Sequence, residues 1–158
     1  MRLVPDSPAL SKPSPGKAKI IFVRPHGTTI QGSIFKIEDN QPSIIAILAG
    51  QKKFDYEVDP GKHLFMIVGE AADFMSANVV ANKTYYVYVY MRAGVLRQRL
   101  SMEAIPPAKL DSFITRSYLR ASQWVDTTPA TDRWAQGHMP SIMNKYMNYY
   151  AKWTNKDM

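Results

Sequence analysis

The chain of 158 residues contains no cysteine. Disulfides, thiol nucleophiles and cysteine metal sites are thereby excluded, while the redox compartment stays open. Histidine is almost as scarce. His26, His63 and His138 stand far apart, and none falls in the HxH or HExxH spacing of a metal site. There is no GxSxG elbow and no glycine-rich phosphate loop. The 13 acids lie mostly beside turns or lysines, and no pair is marked out for glycoside hydrolysis. Asp55, Glu57 and Asp59 share one face of a strand pattern. Calcium needs a loop that wraps the ion, so a solvated strand face is the expectation there. No catalytic residue, no cofactor and no metal is expected. No apolar run approaches the ~20 residues of a membrane span.

Charge is present in excess but not concentrated. Residues 1–104 carry 13 basic and 9 acidic side chains, and residues 105–158 carry 7 and 4. The net +7 is thus spread thinly, whereas phosphate binding needs Lys and Arg gathered on one face. Nucleic acid is not an expected partner.

What the chain does have is a series of short apolar runs broken by turn residues, from Lys17 to about Ala104. "KKFDYEV" (52–58) alternates cleanly, with Phe54, Tyr56 and Val58 on one face. "SIIAILA" (43–49) is apolar throughout, as a strand covered on both sides would be. "DPGK" (59–62) is a turn, because Pro60 presets φ and Gly61 accepts positive φ. Residues 1–16, rich in Ser and Pro, read as an extended tether. Residues 17–104 read as an immunoglobulin-like antiparallel β-sandwich of about seven to eight strands.

Residues 105–158 read as a helical C-terminal extension. In "LDSFITRSYLRASQWV", Leu110, Phe113, Ile114, Tyr118, Ala121 and Trp124 recur at helical spacing. A polar link over 126–140 leads to "SIMNKYMNYYAKW", with Ser141 as N-cap. Its stripe contains Ile142, Met143, Tyr146, Met147, Tyr150 and Trp153. Two amphipathic helices are expected.

"TYYVYVYMR" (84–92) holds four of the nine tyrosines. Alternation sends Val87, Val89 and Met91 to the sandwich interior and Tyr86, Tyr88, Tyr90 and Arg92 outward. A two-residue turn at Ala93-Gly94 would set Tyr90 opposite Arg97 and Tyr88 opposite Arg99. Such Tyr–Arg pairs are worth about 0.5–1 kcal/mol each. The patch has two readings. It is a bed for one of the helices, or a partner surface of the rigid aromatic and Arg type. With only one helix able to cover it, the second stripe, with Tyr146, Tyr150 and Trp153, is left to dock on another subunit.

The order "KAKIIFVRP … IIAILAGQKKFDYEVDPGKHLFMIVGE … VVANKTYYVYV" resembles a family of uncharacterised, often lipid-anchored envelope proteins of bacteria. The likeness rests on Arg24-Pro25, on Leu48 to Gly50, on Pro60-Gly61-Lys62-His63 and on Asn82 to Tyr86. The Pro-Gly turn is similar to that of PEGA-type modules. The resemblance covers roughly residues 17–92 and implies a non-enzymatic scaffold or interaction module in a larger envelope assembly. It implies other envelope proteins as partners and a periplasmic or outer-membrane-associated location, with anchoring through an N-terminal lipid site. The start lacks the apolar core of a signal peptide, so a removed leader is required, or else a cytoplasmic protein beginning at Met1. A carbohydrate- or peptidoglycan-binding sandwich using the tyrosine patch is the alternative, and a hydrolase the third.

Overall fold

The computed structural model describes residues 1–27, 30–92 and 99–154. Ten strands run through it: β1 (Arg2–Leu3), β2 (Ala18–Arg24), β3 (Gly32–Glu38), β4 (Gln41–Leu48), β5 (Lys52–Val58), β6 (Gly61–Val68), β7 (Ala72–Val79), β8 (Thr84–Arg92), β9 (Arg99–Ala104) and β10 (Gln123–Asp126). The helices are α1 (Phe113–Ala121) and α2 (Pro129–Thr154). The strands form a six-stranded sheet, β1-β10-β5-β2-β8-β9, and a four-stranded sheet, β4-β3-β6-β7. The expected mainly β sandwich with two C-terminal helices is the fold found. Two pairings depart from a purely antiparallel plan: β2 runs parallel to β8, and β10 parallel to β5.

The alternation in the sequence decides the core. Ile20 and Phe22 of β2, Phe54 and Val58 of β5, and Val87 and Val89 of β8 point from the six-stranded sheet toward Ile34, Phe65 and Ile67 of the other. Phe22 and Phe65 meet edge to face with centroids 5.5 Å apart. In β4 the register shifts by one residue, so that Ile45 is a bulge and both Ile45 and Ala46 enter this core. The opposite face of the four-stranded sheet, including Phe35, Met66 and Phe74, forms a second core beneath α2.

The expected motifs serve the backbone. The Arg24 guanidinium is buried, donates from Nη1 to Leu48 O at 2.7 Å, and has its pKa lowered by that burial. Gly50 lies against the loop after Arg24: a Cβ there would stand 2.1 Å from Gly27 Cα and 2.6 Å from His26 O. Gly61 sits at φ +123, where side chains are strained, and His63 Nε2 hydrogen-bonds Asp59 O at 2.7 Å. Asn82 takes φ 65, and its Oδ1 accepts from Gly16 N at 2.8 Å.

The segment over 1–16 does not hang free as a tether. β1 pairs with β10, and Val4 N donates to Trp124 O. A 3-10 turn at Pro8–Ser11 follows. Trp124 Nε1 donates to Asp6 Oδ1 at 2.8 Å, and Ser14 N to Glu57 Oε2 at 2.9 Å. Serine and proline read as open linker because their own polarity gives no sign of these partners.

The tail also differs in its boundaries. α1 stops at Ala121, and Gln123 N donates to Gln51 O, which starts β10 instead of continuing the helix. Trp124 is therefore a strand residue. α2 begins at Pro129, well before Ser141, and runs through Pro140. The missing amide and the ring of Pro140 are tolerated because the helix is held by burial of Thr131, Ala135, Ile142 and Tyr146.

Gly50→Ala forces backbone to move, so a loss of roughly 1–3 kcal/mol is expected in urea unfolding. The Ser14 amide holds the Glu57 carboxyl below its ordinary 4.5. A carboxyl lowered on folding stabilises fully above the unfolded value and ceases to do so as pH falls through the folded one. Stability measured from pH 6 to 3 (about the range of carboxylate titration) should therefore fall less steeply in Glu57→Gln than in the parent.

Candidate functional site: two covered aromatic faces and an open cleft

The outward tyrosines of β8 are met by the chain itself. Tyr86 is half-buried beside the Pro8–Ser11 turn, where Thr84 Oγ1 donates to Ser11 O at 2.6 Å. Burial raises the Tyr86 pKa, partly offset by a hydrogen bond with Ser11. Tyr88 is enclosed between Tyr90 and Tyr118 of α1, with centroids 5.1 and 5.6 Å away and rings nearly parallel. Burial raises the Tyr88 pKa, and its tyrosine neighbours add to the effect. Lys53 holds the other end of α1. Its Nζ donates to Leu119 O at 2.7 Å, satisfying a carbonyl that the last helical turn leaves open, and lies 4.6 Å from the Trp124 ring.

The register expected across the hairpin is not the one found. β9 begins at Arg99, and the register places Tyr88 opposite Glu103, Tyr90 opposite Ser101, and Arg92 opposite Arg99. Relative to the expected pairing each partner is displaced by four residues, which keeps the faces unchanged. Arg92 instead approaches Asp73 of β7 at 3.4 Å, and Ser101 Oγ donates to the same carboxylate at 2.7 Å. Arg97 and the Ala93-Gly94 turn lie outside the described residues.

Tyr146, Tyr150 and Trp153 are brought together, but against their own sheet rather than another subunit. All three lie within 6.1 Å of the Phe74 ring, and Tyr146 Oη donates to Asn40 Oδ1 at 2.9 Å. Of the helical residues expected to be buried, Met147 of α2 is exposed, and so are Phe113 and Ile114, at 84% and 60%, because α1 turns Thr115 and Tyr118 toward the body. The strand-face carboxylates have close partners too: Asp55 with Lys19, Glu57 with Ser14 N, and Asp59 with Lys17.

With both outer faces occupied, an open concavity lies at the side of the sandwich, where sequence patterning gave no signal. A cleft of about 630 Å³ opens between the second half of β7 and the start of β8. Buried Ile20, Met75, Val79 and Val87 line it, and Ala77 and Ala104 stand where larger side chains would fill it. At one end Val80 N donates to Tyr85 Oη at 2.9 Å, tying the β7–β8 turn. Among the described residues its one charged lining side chain is Lys83. Only the meeting of strands distant in sequence makes this surface, so no local motif could have announced it.

Phe74→Ala removes the ring on which the α2 aromatics gather, and should cost about 3–5 kcal/mol. Amide exchange in α2 should accelerate more than in β2, which does not touch that ring. No protein-family model matches the chain, and no curated protein matches it.

Proposed function

We propose that this protein is a non-enzymatic interaction module of a bacterial cell-envelope assembly, and that its partner docks in the β7–β8 cleft. The observation that carries the reading is the cleft itself: concave, apolar and open, as binding sites are, in a molecule whose own helices occupy both aromatic faces. Exposed Phe113 and Ile114, close in sequence to the Pro106, Pro107 and Leu110 rim, extend the apolar surface available to a partner. The envelope setting rests on the motif resemblance, and it makes the location periplasmic or outer-membrane-associated. Among the described residues no helix is long and apolar enough to cross a membrane.

The glycan alternative has less support from the geometry. A sugar needs a free aromatic face, and Tyr88 is already stacked with both Tyr90 and Tyr118.

A photo-crosslinking residue placed at Asn78, which lines the cleft, should yield a discrete adduct with an envelope protein in intact cells. The same residue at Asn148, exposed on α2, should not. Equal labelling from the two positions, or none from Asn78, contradicts the reading.

A further inference from the structure

The borders of the cleft are strand edges, and this restricts what can fill it. Among the described residues β7 ends the four-stranded sheet, so one side of its backbone is hydrogen-bonded to no strand, and β9 approaches it at Asp73 through the Ser101 side chain. On the other border, Lys19 N donates to Lys83 O, so odd-numbered residues of β8 address β2 and even-numbered ones face away from it. β9 would bond that second side, but its ladder ends at Ala104, with a last bond from Ile105 N to Tyr86 O. Thr84 is thus beyond the reach of β9. An apolar floor is therefore framed by backbone N–H and C=O groups of β7 and by the edge of Thr84.

We propose that the cleft accepts an extended peptide segment of a partner protein, which adds as a strand to the free edge of β7 and seats alternate apolar side chains between the sheets. This rests on the reading of the cleft as the docking site and specifies its occupant. An acyl chain or a small apolar ligand would match the floor but leave the strand-edge groups unmet, whereas an added strand satisfies both at once. From Met75 to Val79 the edge offers about five residues, some 17 Å at a strand rise of about 3.4 Å. Residues Met75, Ala77 and Val79 face the interior there, so an apolar side chain of the added strand finds room over Ala77. Lys83 lines the cleft with no carboxylate beside it among the lining residues, which favours an acidic residue in the incoming segment.

The probe is a displayed library of random peptides of about ten residues, long enough to cover that edge. It is selected on the full chain and counter-selected on Ala77→Phe, which fills the cleft. Enriched peptides should alternate apolar and polar residues and carry an acid, and should bind Lys83→Glu more weakly. Methylating alternate backbone nitrogens of the best peptide should weaken binding at least about tenfold, because a strand ladder then loses its donors. Amides within Met75–Val79 should become protected from exchange when the unmethylated peptide is bound. Lack of enrichment over Ala77→Phe overturns the proposal, as do peptides indifferent to backbone methylation. So does dodecanoate occupying the cleft in place of any selected peptide, which would assign the site to acyl chains. A crosslink from Asn78 that persists alongside any of these failures leaves the docking site standing and removes only its strand-like occupant.

Discussion

β2 is buried at all seven of its positions, and the rest of the molecule answers to that burial. One row, Ala18, Ile20 and Phe22, is covered by the second sheet. The other, Lys19, Ile21 and Val23, lies on the opposite face of the same strand and needs a different cover. The Pro8–Ser11 turn and α1 provide it. Lys19 shows how tightly: its buried ammonium pairs with Asp55 at 3.1 Å and donates to Ala9 O at 3.4 Å, and an unpaired charge at that depth would be strongly destabilising. The four-stranded sheet poses the same problem, since Phe35, Met66 and Phe74 face away from the sandwich, and α2 resolves it. The outer faces of the two sheets, one mainly apolar and one carrying Ile21 and Val23 beside charged residues, thus account for the N-terminal segment and both helices.

This constraint also explains why the aromatic comb of β8 is mostly internal structure. Its tyrosines could have been left for a partner, but β2 beside them requires a lid, and a lid over β2 reaches Tyr88. The stack of Tyr90, Tyr88 and Tyr118 is the consequence. What the lids do not reach is the flank, where β9 stops short of Thr84 and where, among the described residues, no strand hydrogen-bonds the outer side of β7.

Much of the body was legible because its strands alternate. "KKFDYEV" pairs along its whole length with β2, and the inward residues are those its pattern marks. The turn residues were legible for a local reason as well: Gly61 and Asn82 hold positive φ where the pattern breaks. Features that depend on distant partners were not. β10 has only four residues, too few for a period, and exists because Gln51 and β1 are there to bond it. Pro140 reads as a boundary, yet burial on both sides of it carries the helix through. The N-terminal segment reads as linker by composition, while its order comes from hydrogen bonds to Glu57, Trp124 and Asn82. The cleft is the extreme case, a space defined by what β9 and β7 leave unpaired.

An open flank between two sheets is a surface on which a strand-rich assembly can be extended without disturbing either lid, and the free protein must keep it from pairing indiscriminately. Lys83 at its lining and the exposed polar residues Ser76 and Asn78 along β7 are suited to that restraint. The most direct measurement is amide exchange on the protein isolated alone and on the protein recovered under native conditions with whatever partner co-purifies with it. The account predicts that protection gained in the assembly falls on Met75–Val79 and Thr84, with the β8 tyrosine face and α2 unchanged. Protection gained instead over Tyr88, Tyr90 and α1, with the cleft unaltered, would contradict it.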